Sequence, residues 1–398
     1  MSKPKLRFPE FKDLWNNYKI EDMFDRVGTP VDLDDAQTYR EIGIRSHGKG
    51  IFHKEETTAS EIGNKRVFWV EPNCFVVNIV FAWERAVAKT TEDENGMIAS
   101  HRFPMYKPKK DVVDLVYITE YFITKRGQNV LILASPGGAG RNKTLGQKEF
   151  AKSVVKLPSL PEQQKIAEFL STIDTVIEKQ KETVSAWEER KKGVMQKLFS
   201  QEVRFKADDG SEFSDWEEKK LDDLVTEYNE KTTKNNQFEV LSSTHDGIKF
   251  QKDHFNKKTA SADTTGYKIV PRGYFTYRAM SDNDVFVFNR QMIIDKGIVS
   301  PAYPVFYVIG VDKIFFEYYI NNTDEIRKQL ITSKEGGTRY ALSFSKFCAM
   351  YVRIPSDEIE QQKIADCLSS LDGVIEKQKA TLAAWEELKK GLLQQMFV

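Results

Sequence analysis

The sequence predicts an α+β protein. It has two globular domains of mixed helix and strand, separated by two long helices that pair as an antiparallel coiled-coil rod in a pseudo-two-fold internal repeat. Three observations carry that prediction. First, EQQKIAEFLSTIDTVIEKQKETVSAWEERKKGVMQKLF at 162–199 returns at 360–397 as EQQKIADCLSSLDGVIEKQKATLAAWEELKKGLLQQMF, with 25 of 38 positions identical at an offset of 198. A period that long is a duplicated half-molecule, not a solenoid unit. Second, both segments carry an apolar stripe at alternating steps of four and three, the seam of helices packed side by side. Third, each is preceded by about 155 residues of mixed patterning, with weaker echoes of one another. The expected divisions are 1–156, 157–200, 201–354 and 355–398.

In the first globular part, strands are expected at Tyr39–Ile44, Arg66–Glu71, Phe75–Phe81, Asn129–Ala134 and Ser153–Lys156. The spacing of Leu115, Ile118 and Phe122 favours a helix over 116–124. The second part shows strand patterns at Glu239–Ser242, Tyr267–Val270, Tyr274–Tyr277, Asp284–Phe288 and Val305–Ile309, with a helix over Phe315–Ile320. Both long segments open on a capping-box pattern, Ser159-x-x-Glu162 and Asp357-x-x-Glu360. The seam reads Ile166, Leu170, Ile173, Ile177, Gln180, Val184, Trp187, Lys191, Val194 and Leu198 in one copy. In the other it reads Ile364, Leu368, Leu371, Ile375, Gln378, Leu382, Trp385, Lys389, Leu392 and Met396. Gly193 and Gly391 are potential kinks. Connectivity makes the pair antiparallel, because a parallel pair would force the second domain's ends roughly 57 Å apart at 1.5 Å per residue. Gln180 and Gln378 sit near the midpoints and are expected to meet as a polar seam pair that sets register.

Bulk charge points to no partner: 59 Lys and Arg balance 59 Asp and Glu. The balance is uneven along the chain. Ten cations oppose four carboxylates from Gly96 to Val155, and sixteen oppose ten from Lys249 to Arg353. Basic stretches interleaved with tyrosines are compatible with phosphate contact, but a mixed charged surface is the commoner explanation of such a pattern. No apolar run reaches the ~18 residues of a membrane span. The opening MSKPKLRFPE has no apolar core, so no signal peptide is expected. Three scattered cysteines fit a reducing cytoplasm and no disulfide framework.

Catalytic motifs are missing or only apparent. The five histidines have no partners at zinc spacing and the cysteines do not cluster, so no metal is expected. No Asp/Asn-Pro-Pro-aromatic run is present for adenine amino-methylation. Ser135 to Thr144 (SPGGAGRNKT) follows an apparent strand and resembles a phosphate loop, which leaves open a P-loop-like nucleotide enzyme using Lys143 and Thr144. Asn142 stands where glycine would let the backbone wrap the phosphate, and the matching loop, Gly336-Gly337-Thr338-Arg339, has no such lysine. What both loops share is glycine followed by arginine, a pair suited to gripping a phosphate or a guanine edge. The balance favours a binding protein without a catalytic site. A structural scaffold for two protein partners is a further alternative.

The pattern resembles the specificity (S) subunit of type I restriction–modification systems. The carrying motifs are LRFPEF at 6–11, LPSLPEQQKIAEFLSTID at 157–174, EQQKIADCLSSLD at 360–372, and the WEE-x-KKG echoes at 187–193 and 385–391. The resemblance implies two target-recognition domains, each reading one half of a bipartite double-stranded DNA target, with the helical rod as a ruler for the spacer. It implies no cofactor on this chain. S-adenosylmethionine, ATP and Mg are expected on partners: two modification (methyltransferase) subunits docked on the rod and two restriction (translocase and nuclease) subunits. Candidate DNA contacts, chosen from loop position and internal echo, are Arg45, Ser46, His47, Lys49, Arg141, Asn142 and Lys143 in the first domain. Those in the second are Ser243, Thr244, His245, Arg278, Asn283, Arg339 and Tyr340. Arg85 and Lys89 are candidate phosphate anchors or solvated charges. Glu178, Lys179, Glu188, Glu189, Lys191 and Lys192 form the candidate docking face, while Trp187 and Trp385 are expected to seal the seam.

Overall fold

The computed structural model describes residues 4–137, 143–254, 263–281, 285–333 and 340–397. The chain divides into two compact units that do not follow chain order. The first comprises residues 1–183 and 378–398, the second residues 184–377. Each unit thus joins one globular part to half of each long helix.

Unit 1 opens with β1 (Asn16–Lys19), α1 (Ile20–Met23), β2 (Phe24–Val27), β3 (Thr29–Pro30), β4 (Thr38–Ile44), β5 (Ile51–Thr58), α2 (Ala59–Ile62) and β6 (Val67–Trp69). It continues with β7 (Phe75–Val77), β8 (Val87–Lys89), β9 (Ile98–Ser100), β10 (Met105–Pro108), α3 (Leu115–Ile123), α4 (Lys125–Leu133), α5 (Gln147–Lys152), β11 (Val154–Leu157) and the start of α6 (Leu160–Phe199). Its larger sheets have the orders β3-β6-β9-β4-β5 and β2-β10-β7-β8. Phe75, Tyr117, Phe122 and Phe150 fill the main core, which also takes Ile166 and Leu170 from α6 and Met396 and Phe397 from the far end of the chain.

Unit 2 repeats the plan with β12 (Glu217–Lys220), α7 (Leu221–Leu224), β13 (Val225–Glu227), β14 (Leu241–Thr244), β15 (Gly247–Phe250), α8 (Gln251–His254), β16 (Lys268–Pro271), β17 (Phe275–Thr276) and β18 (Met280–Ser281). There follow β19 (Asn289–Arg290), β20 (Lys296–Val299), β21 (Val305–Val308), α9 (Lys313–Asn322), α10 (Asp324–Ser333), β22 (Tyr340–Ala341), α11 (Phe344–Cys348), β23 (Tyr351–Ile354) and α12 (Glu358–Met396). The sheet β13-β21-β17-β19 matches β2-β10-β7-β8 in its first three places. Its core is aromatic, with Phe275, Phe288, Phe306, Phe315 and Phe347 joined by Leu198, Ile364 and Leu368.

Two expected strands are corrected. Asn129–Leu133 lies in α4 and Ala134 is its C-cap, while the N-cap Thr124 accepts the Gly127 N–H. Gly127 is required there, since a Cβ would fall 2.3 Å from the Tyr121 carbonyl oxygen. Without a strand before it, the apparent phosphate loop loses the context such a loop needs. Of the strand expected at Asp284–Phe288, Asp284 lies outside the described residues, and Val285–Phe288 is not a strand either. Phe286 and Phe288 do alternate inward, but the Asn321 side-chain amide takes the place of a neighbouring strand. It accepts the Phe288 N–H at 2.9 Å and donates to the Phe288 carbonyl at 2.9 Å. The strand expected at Phe75–Phe81 stops at Val77, and that at Glu239–Ser242 is shifted to Leu241–Thr244.

α6 and α12 are 40 and 39 residues long and run unbroken through Gly193 and Gly391. Within each unit their halves pack antiparallel. In unit 1, Gln180 Nε2 donates to Gln378 Oε1 at 2.7 Å and to its carbonyl at 3.1 Å. In the same unit Lys389 Nζ binds Asp174 at 2.7 Å and Glu120 at 3.1 Å. In unit 2, Lys191 Nζ makes the matching contact with Asp372 at 2.6 Å and lies over the Tyr318 ring. The polar members of the seam are therefore paired. Gln180→Leu should cost about 1 kcal/mol in thermal or urea unfolding, because it leaves the Gln378 amide half-buried without its partner. Gln180→Leu with Gln378→Leu should recover that loss.

The glutamates of the capping-box patterns do not turn back on their own helices. Arg7 holds Glu162 by Nε–Oε1 and Nη2–Oε2 contacts, both 2.7 Å. Arg204 holds Glu360 in the same way at 3.0 and 2.8 Å. Each carboxylate is 1 % exposed. The neighbouring glutamines stitch the helix start to the domain. Gln163 Oε1 accepts the Asp114 N–H at 3.0 Å, and Gln361 Oε1 accepts the Asp312 N–H at 2.8 Å. The EQ pair shared by both copies is thus a joint between helix and domain.

Candidate nucleic-acid interface

In unit 1, four sequence candidates share one loop. β4 and β5 form an antiparallel hairpin whose connection is residues 45–50. His47 and Gly48 both take left-handed backbone conformations, at φ 64° and 68°. They are held there by the turn at Ala82–Glu84: the His47 N–H donates to the Glu84 carbonyl at 2.7 Å and the Gly48 N–H to the Arg85 carbonyl at 2.9 Å. Arg85 is itself left-handed, at φ 62°, and its guanidinium donates to the Ile123 carbonyl at 3.1 Å. Ser46 Oγ donates to the Glu84 carboxylate at 2.8 Å. Gly48 seats the loop on α3, where a Cβ would meet the Ile123 side chain at 2.7 Å. Non-glycine residues in this region are uncommon and are kept where surrounding structure over-determines them.

This scaffold leaves Arg45, His47 and Lys49 exposed. Arg45 stacks over Phe52 at 4.8 Å and donates to the Ile51 carbonyl at 2.8 Å. Such stacking pre-orients a guanidinium, which suits it to planar hydrogen-bonding partners. Lys89, at the end of β8, is also exposed. Lys143 is half-buried, while Arg141 and Asn142 lie outside the described residues.

In unit 2 the echo of that loop is also a hairpin tip, between β14 and β15. His245 is exposed, and Thr244 is half-buried with its hydroxyl donating to the Gly247 carbonyl at 2.9 Å. Ser243 is buried, and its hydroxyl accepts from Asn289 Nδ2 at 2.8 Å. The same Asn289 donates to the Thr244 carbonyl at 2.8 Å. Asn289, absent from the sequence candidates, therefore ties the base of the hairpin to β19. Arg278 is exposed just before β18, and Tyr340 is half-buried in the paired strand β22. Asn283 and Arg339 lie outside the described residues.

On the helices, Glu178, Lys179, Glu188, Glu189 and Lys192 are exposed. Lys191 is corrected from that outer face, since it turns inward to Asp372. Trp187 and Trp385 are half-buried. Among the seam positions, Ile166, Leu170, Ile173, Ile177 and Val184 are buried in one copy, and Ile364, Leu368 and Ile375 in the other; Leu371 and Leu382 are half-buried. Arg7 and Arg204 were not singled out from sequence, although Leu6-Arg7-Phe8 is echoed by Val203-Arg204-Phe205.

Burial raises the Glu120 carboxyl above the usual carboxylate range, against the opposing pull of Lys389. Burial also works against the Lys389 charge, but Glu120 and Asp174 together hold its ammonium above the ordinary lysine value. Among the described residues, no group of His, Cys, Asp and Glu could hold a metal ion. No described helix is long and apolar enough to cross a membrane.

Comparison with known proteins adds three findings. The family model described as the type I restriction modification DNA specificity domain matches twice, over residues 12–185 and 213–384. The type I restriction enzyme MjaVIII specificity subunit of Methanocaldococcus jannaschii is 27% identical over 275 residues, which is 62% of this chain and 62% of that protein. The chain thus spans under two thirds of that relative's length. Among solved structures, the type I restriction–modification S subunit of M. genitalium aligns over 100% of this chain and 99% of its own, with a TM-score of 0.57 at 15% identity. A structure described as the basis of complex assembly and conformational transition of the type I R-M system aligns over 98% of both chains, with a TM-score of 0.56 at 14% identity. At those identities the likeness is one of fold.

Proposed function

This chain belongs to the type I restriction–modification DNA specificity family, and on that premise we propose that it is the DNA-reading subunit of such a complex. Each globular part reads one half of a bipartite target. The paired helices set the unspecified spacer and dock two modification subunits, to which two restriction subunits add translocation and cleavage in the cytoplasm. The chemistry belongs to those partners, with S-adenosylmethionine on the modification subunits and ATP and Mg on the restriction subunits. This chain contributes recognition and no catalysis.

The observation that carries the reading is the doubled plan: the family match falls once on each globular part with its helix, and each part presents a hairpin tip with an exposed histidine at the echoed position. A bipartite target needs two readers, and a long protein element between them gives the word a length. Base reading belongs to side chains in the loops, with phosphate contacts fixing register. Arg45, His47 and Lys49 in one unit, and His245 and Arg278 in the other, are the best-presented candidates. Arg141 and Arg339 are kept as candidates from the Gly-Arg loops.

The test is single-molecule sequencing of host DNA for methylated adenine, with and without the gene. One two-part methylated word that vanishes with the gene is the expected result. An unchanged methylation pattern would reject it.

A further inference from the structure

Unit 1 contains a cleft of about 780 Å³ beside the hairpin tip, where the globular part meets the paired helices. Gly48 of the hairpin lines it, as do Ile123 and Phe397 on an apolar wall. Six cations line it (Arg85, Lys125, Arg126, Lys181, Lys389 and Lys390) against the three carboxylates of Asp174, Glu178 and Glu386. Three of the cations are already paired, Lys389 with Asp174 and Glu120, Lys181 with Glu178 and Lys390 with Glu387. Lys125 and Arg126 are exposed and hold no ion pair among the described residues.

The internal repeat shows that this charge is not demanded by the fold. In unit 2, α9 and α10 are joined at Thr323 as α3 and α4 are joined at Thr124. The two residues that follow are Asp324 and Glu325, in place of Lys125 and Arg126. Acidic residues suit the first turn of a helix, and cations there oppose the helix dipole. Unit 1 accepts that local disadvantage while unit 2 avoids it. Glu325 also receives the Tyr319 hydroxyl at 2.8 Å, a contact that Arg126 cannot make from its equivalent place because it has no acceptor. The corresponding cleft of unit 2 is about 350 Å³, and its charges are matched as Lys191–Asp372 and Arg290–Glu317.

From this charge inversion in the basic cleft we infer that Lys125 and Arg126, with Arg85 beside them, grip a phosphodiester of the DNA engaged by the neighbouring hairpin. The contact is independent of sequence and belongs to unit 1 alone. An anion in the cleft would satisfy the cations and the dipole of α4 together. The inference rests on the DNA-reading function proposed above and makes the two units unequal in phosphate contact.

The test replaces the pair by the residues that unit 2 carries, Lys125→Asp with Arg126→Glu, a change the helix start favours. The complex assembled with its modification subunits is titrated with cognate and scrambled duplexes over a range of salt. Affinity for both duplexes should fall about tenfold or more near 0.15 M salt, and the slope of log K against log salt should become shallower by about two. The preference for cognate over scrambled DNA should stay as in the unaltered complex. Unchanged affinity and slope, or a loss confined to the cognate duplex, would overturn the inference. So would weakened assembly with unchanged DNA affinity in the assembled fraction, which would make the cleft a protein dock. A lack of cognate preference in the unaltered complex would instead count against the DNA-reading function itself.

Discussion

Arg204→Leu is expected to lower stability by about 3–5 kcal/mol in urea unfolding, the usual cost of stranding one partner of a buried ion pair. The Glu360 carboxylate is 1 % exposed and both its oxygens rely on that guanidinium. Arg204 also donates to the Ser214 carbonyl at 2.6 Å, so its loss loosens the segment that leads into the second globular part. Arg204→Leu together with Glu360→Leu should recover much of the deficit, because two apolar groups need no partner. A double variant no more stable than Arg204→Leu would show that the loss comes from packing and not from a stranded charge. Arg7→Leu should act in the same way on Glu162 in unit 1.

The second large effect concerns spacing. Removing residues 177–183 and 375–381 takes one heptad from each helix while keeping the seam in phase. The deletion spares the Asp174–Lys389 and Lys191–Asp372 pairs. Seven residues are roughly 10 Å of helix at 1.5 Å per residue, or about three base pairs at 3.4 Å each. The methylated word should keep both halves and lose about three positions from its gap. Altered halves with an unaltered gap would reject the helices as the measure of the spacer.

The long helices were legible because one period governs them over ten seam positions, and because a second copy tells chance from pattern. The Gln180–Gln378 contact follows from that symmetry alone. The strand misread at Asn129–Ala134 has a physical cause: a short apolar run reads alike as a buried strand or as part of a helix. The deciding features lay upstream, in the Thr124 cap and in Gly127. At Val285–Phe288 the inward alternation was real, but a side-chain amide supplies the pairing, and no local pattern announces that.

The candidate interface was legible only in outline. The internal echo located both hairpin tips. It could not show that Ser243 is buried while His245 is exposed, since that depends on Asn289, which lies 46 positions away from Ser243. The Arg7–Glu162 and Arg204–Glu360 joints span 155 and 156 positions, so the echo of Leu6-Arg7-Phe8 in Val203-Arg204-Phe205 marks the arginines but not their partners. The sign of the charge at Lys125 and Arg126 gains meaning only when α4 is set beside α10.

The most direct measurement is selection of bound duplexes from a random library by the assembled complex, carried out with the unaltered chain and with Arg45→Ala, Lys49→Ala. The account predicts two short fixed words separated by an unspecified gap of constant length, with only one word degraded by the paired substitutions. A single uninterrupted word, or no enrichment at all, would contradict it.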